Sequence, residues 1–129
     1  MTGLSQGWYD FAQSFNLRSK KIHEWAKEKG FWSFPIHTNS AIEHEGLVHL
    51  ITATKIALIH SELSEGLEGD RANLFDDKLI NRKSLEVELA DAVIRIMDLA
   101  ESLNFDLGTT IAEKMAFNEG RPYKHGKEY

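Results

Sequence analysis

Proline occurs only twice in the 129 residues, at Pro35 and Pro122. The stretch between them keeps its apolar residues mostly at helical spacing, so long uninterrupted helices are the natural outcome. Ahead of Pro35, Trp8, Phe11, Phe15, Ile22 and Trp25 recur at intervals of three, four and seven. They predict a first helix from about Ser5 to Lys29, stopped by Gly30. "FWSFPIHTN" (31–39) follows as an aromatic-rich loop, with Asn39 or Ser40 as an N-cap. A second helix is expected over 41–68, irregular near Gly46 and terminated by Gly69. "DRANLFDDK" connects it to a third helix over 81–103, whose apolar stripe is Leu85, Leu89, Ala92, Val93, Ile96 and Leu99, with Asn104 at its end. Asp106 caps a fourth helix through Asn118, broken at Gly120-Arg121-Pro122, and the tail "YKHGKEY" reads as irregular. No strand pattern, repeat or linker interrupts this series. The expectation is one all-α domain over residues 1–129, a bundle of four to five helices.

Composition narrows the function classes. A net charge of −5 argues against binding a nucleic-acid polymer, which needs a basic face. With no cysteine there is neither a disulfide framework nor a thiolate metal site, as suits a reducing cytoplasm. "MTGLSQGWYDFAQ" lacks the basic and apolar regions of a signal peptide. No apolar run approaches the roughly 20 residues of a membrane span. The expectation is a cytoplasmic protein without a membrane partner.

The carboxylates raise the sharper question. At about 100° per residue, Glu62 and Glu65 share a sector of the second helix with Leu47, Ile51 and Leu58. These acids lie in line with an apolar stripe instead of opposite it. On the third helix Glu88, Asp91, Arg95 and Asp98 form one polar strip, with Val87 and Ile94 on one flank and the main apolar stripe on the other. An unpaired ionised group in the interior costs several kcal/mol, so carboxylates collected there call for a positive charge. An oxygen-only donor set favours Mg²⁺ or Mn²⁺. Spacing alone leaves two readings level: a cation cradle, or two solvated acidic faces.

The two pairs also resemble a family signature. "SELSE" (61–65), a spacer of 22 residues and "ELAD" (88–91) are similar to the Glu-Glu-x-x-Glu…Glu-x-x-Asp pattern of the MazG-like all-α nucleoside triphosphate pyrophosphatases. "KMAFNEGRPYKHGK" (114–127) looks like the Lys-x-x-x-Asn-x-x-Arg-Pro ending common in that group. One departure stands out: Ser61 replaces the first glutamate. The resemblance implies Mg²⁺-dependent hydrolysis of a (deoxy)nucleoside triphosphate to the monophosphate and pyrophosphate, in a homodimer or homotetramer. It implies metal ligation by Glu62, Glu65, Glu88 and Asp91, with Glu62 or Glu65 taking the proton of the attacking water.

Other candidates follow the same frame. Lys114, Asn118 and Arg121 share one face of the last helix and suit phosphate or sugar, extended by Tyr123, Lys124 and His125; their cations equally suit a helix C-terminus. Trp25, Trp32, Phe34 and His37 are candidates to grip the base, although aromatic residues at helical spacing also build cores. Lys55 and Asp98 are candidates to support the metal ligands, and Asp98 reads as readily as a surface acid. The other histidines show no metal spacing, and no Glu-x-x-His, His-Glu-x-x-His, P-loop or Gly-x-Ser-x-Gly motif occurs. Rival readings are a phosphoribosyl-ATP pyrophosphatase, which the aromatic loop and tail fit poorly, and a non-catalytic nucleotide-binding or interaction module, which Ser61 keeps open.

Overall fold

The computed structural model describes residues 3–34 and 41–129, the side chains of 41–44 excepted. Four helices, α1 (Gln6–Glu28), α2 (Ala41–Arg71), α3 (Ser84–Ser102) and α4 (Leu107–Glu119), account for most of these residues, and none of them forms a strand. The all-α expectation holds. No described helix is long and apolar enough to cross a membrane.

Local chemistry explains most of the boundaries. Ser5 caps α1 by accepting from the Trp8 amide, and Gly30 closes it with φ +85°. Asp106 caps α4 through the Thr109 amide, as its position in the sequence suggests. Two expectations need correction on α2. The helix runs straight through Gly46 and on past Gly69 to Arg71. Gly69 is not a terminator, because its missing side chain is used for packing: a methyl there would collide with Ser84 Oγ of α3. The chain turns instead at Asn73, which takes a positive φ of 53°, a conformation asparagine tolerates. α3 begins at Ser84 rather than near 81, because a turn occupies the preceding residues. There the Asp76 carboxylate accepts from the Lys78 and Leu79 amides, and Phe75 pairs with Lys83. The tail makes one tight turn at Tyr123–Gly126.

Packing follows from small residues. α2 lies antiparallel to α3: Gly69 meets Ser84, Gly66 meets Leu85 and Glu88, and Glu62 meets Arg95. α1 packs on α3 and α4. The α1–α4 contact is clasped at Gly108, whose amide donates to Asn16 Oδ1 at 2.9 Å while Asn16 Nδ2 donates to Asp106 at 2.6 Å. The buried apolar residues are Ala12, Ala26, Ala92, Ala100, Ala112 and Met97. Alanines let helices approach closely, but they bury little area.

The larger side chains stay outside. The predicted core stripe of α3 is only partly covered: Ala92 is buried and Leu85 and Leu99 are half-buried, but Leu89, Val93 and Ile96 are 37–49% exposed. On α2, Ile56, Leu63 and Leu67 are 45–58% exposed. At about 100° per residue both sets sit on the flanks away from Glu62, Glu65 and Asp91. In an antiparallel pair whose acids share one side, these flanks form one apolar face on the other. The chain exposes 9912 Å², against about 6,900 Å² for a compact monomer of its mass.

Candidate metal centre

α2 and α3 approach closely at Gly66, where a methyl would stand 3.1 Å from Leu85 and 3.2 Å from Glu88 Cβ. That approach brings the i,i+3 acids of the two helices together. One carboxylate oxygen from each of Glu62, Glu65 and Glu88 lies within 4.8 Å of the others. Glu62 is buried, Glu88 half-buried and Glu65 exposed. Asp91 falls outside that group, one turn along, and lines the adjoining cavity.

The electrostatics record the crowding. Glu88 is pushed up to about 7, first by burial, then by its hydrogen bond with Glu62 and the charges of Glu65, Glu62 and Asp91. Burial and the neighbouring carboxylates thus favour the protonated form of Glu88. Asp91 is also raised, by burial and by the charge of Glu62, with Arg95 acting against the shift. Arg95 Nε donates to Glu62 Oε1 at 2.5 Å. The donor set is all oxygen, anionic and only partly neutralised, so it fits a hard divalent cation.

Beside the cluster is a cavity of about 200 Å³, lined by Trp25, Ala26 and Phe31 on one side and by Lys55, Glu62, Asp91, Ile94, Arg95 and Asp98 on the other. Trp25 and Phe31 are tilted against each other, with ring centroids 5.7 Å apart. Both are about half exposed. Lys55 donates to the Phe31 carbonyl at 2.8 Å. Burial lowers its pKa, Asp98 opposes that shift and Arg95 adds to it.

Asp98 proves to be a buried anchor, not a surface acid. It accepts from Trp32 Nε1 at 2.9 Å, and its Oδ1 lies 2.7 Å from His23 Nδ1. These bonds pin the segment after α1 to α3. Lys55 Nζ stands 4.2 Å above the Trp32 ring, so one face of that indole is already occupied. Trp32 and Phe34 line a neighbouring groove with His23, not the cavity next to the acids. His37 lies outside the described residues.

The cationic tail is placed differently. Lys114 and Arg121 sit over the Phe117 ring, and Lys124 over Tyr123. Together with Asn118 and Tyr123 they belong to α4 and the turn after it, and α4 packs on α1. None of these five lines the cavity beside the carboxylates. Ser61 Oγ donates to the Leu58 carbonyl at 2.7 Å, turned back onto its own helix.

Sequence reasoning missed two partners here: Arg95 as the mate of Glu62, and His23 as the mate of Asp98. The first was readable in outline, since Arg95 lies on the acidic strip. The second joins residues 75 positions apart, and no local pattern links them. Compared with known proteins, the chain matches no family model, no curated protein and no solved structure.

Proposed function

We propose that this chain is a MazG-like, Mg²⁺-dependent nucleoside triphosphate pyrophosphohydrolase, acting in the cytoplasm as a homodimer or homotetramer. The observation that carries this reading is the convergence of Glu62, Glu65 and Glu88 from two helices, beside a cavity lined by aromatic and cationic side chains. That combination suits a ligand with a planar base at one end and phosphates at the other. Glu62, Glu65 and Glu88, joined by Asp91, would hold the cation, which supplies charge neutralisation and a more acidic bound water. Trp25 and Phe31 would bracket the base. Lys55 would meet phosphate oxygens. Water oxygen attacks the α-phosphorus, the bond to the α,β-bridging oxygen breaks, and pyrophosphate leaves. Glu65, the exposed member of the cluster, is the carboxylate open to take the water's proton, because Glu62 is engaged by Arg95 and Glu88.

Assembly fits the same reading. The apolar face of α2 and α3 has large side chains half exposed, and a second copy placed there would cover them. The test is a panel of ribo- and deoxyribonucleoside triphosphates with Mg²⁺, with products identified. Pyrophosphate and monophosphate support the proposal. Orthophosphate alone, or no turnover with any substrate, defeats it and favours a non-catalytic binding module.

A further inference from the structure

Arg95 stands between the glutamate cluster and the cavity. Its Nε holds Glu62 Oε1, while its side chain, 36% exposed, lines the cavity beside Lys55 and Asp98. Glu62 is 8% exposed, and a carboxylate so far from water needs a positive partner. In this structure Arg95 supplies it. The charged groups around the guanidinium are Glu62 and Lys55 from α2 and Asp91 and Asp98 from α3.

A divalent ion entering beside Glu62 therefore meets a carboxylate that is already engaged. Two cations competing for one buried carboxylate repel each other strongly at short range. The guanidinium is the one that can move, since it sits on a flexible stem at the edge of an open cavity. Its planar fork of donors matches phosphate oxygens in two-point contact. We infer that Arg95 is an exchangeable counter-ion: it holds Glu62 while the cluster lacks a divalent ion, and turns onto the substrate's phosphate when the ion arrives. One side chain then couples cation loading to anion binding. This inference rests on the cluster being a cation site.

The experiment is Mn²⁺ binding to the full chain without nucleotide, followed by electron paramagnetic resonance, for the wild type, Arg95→Gln and Arg95→Lys. Removing the competing charge should tighten Mn²⁺ binding on the order of tenfold in Arg95→Gln, with Arg95→Lys close to wild type. Binding of a non-hydrolysable triphosphate analogue with Mg²⁺ should weaken by on the order of tenfold in Arg95→Gln. Unchanged or weaker Mn²⁺ binding in Arg95→Gln overturns the inference. If that variant loses its helical CD signal, the wild type decides by ¹⁵N-arginine NMR: the Arg95 Nε–H should be protected without cation and lose protection as Mg²⁺ saturates. A resonance indifferent to Mg²⁺ overturns the exchange. Wild type that binds no Mn²⁺ defeats the cation site itself, whereas binding and turnover without tightening in Arg95→Gln defeats only the counter-ion role.

Discussion

The α2–α3 pair has two faces of opposite character. On one, acids that would repel each other are gathered beside a cavity and partly compensated by Arg95, with the Glu88 carboxyl pushed up by the crowding. On the other, Ile56, Leu63, Leu67, Leu89, Val93 and Ile96 stand half exposed with nothing of the described chain covering them. Neither arrangement minimises the energy of an isolated chain. The acidic face is a cluster whose charge Arg95 offsets only in part, whereas the apolar face exposes large aliphatic side chains. The chemistry and the assembly proposed above would fall on opposite sides of the same two helices, and each can be perturbed separately.

The largest expected effect is on the acidic face. Glu88→Gln or Asp91→Asn should abolish turnover, since each removes a carboxylate proposed to hold the cation, with an unchanged helical CD spectrum. Full activity in either variant would remove the carboxylate site from consideration. On the apolar face, Leu63→Glu combined with Val93→Glu should shift the protein to monomer in analytical ultracentrifugation. Wild type that sediments as a monomer would show that nothing covers this face in solution. A smaller effect tests the anchor between them: Asp98→Ala leaves His23 and Trp32 without their acceptor and should cost about 1–3 kcal/mol in denaturant unfolding.

The smallest effect is a pH dependence. Glu88 titrates near 7 in the folded chain against an ordinary 4.5, so the unfolded state releases that proton first. Folding is therefore penalised progressively as pH rises from about 4.5 through 7, and the penalty is complete above 7. Without divalent ions, Glu88→Gln should raise Tm by a few degrees at pH 8 and change it little at pH 4. An equal shift at both pH values would mean that the raised Glu88 carboxyl is not the cause.

Much of this was legible in the sequence. The helices followed from spacing uninterrupted by proline, and the cap at Asp106 follows from side-chain chemistry acting over three residues, whereas Ser5 reads only as the start of α1 and its capping role comes from the structure. The acids were legible as pairs because an i,i+3 spacing fixes their direction on a helix. What spacing could not tell was who covers a stripe: Leu89, Val93 and Ile96 have core periodicity whether a neighbouring helix or another chain buries them. Gly69 was misread because a glycine that ends a helix and one that admits a neighbour look alike in one dimension. Asp98 needed the third dimension, since its partners come from an element far away in the chain.

Gly66 has one more implication. A methyl at this position would press on Leu85 and Glu88 and require them to give by a few tenths of an ångström. Gly66 thus sets how closely Glu88 on α3 can stand to Glu62 and Glu65 on α2, although it belongs to none of the three carboxylates.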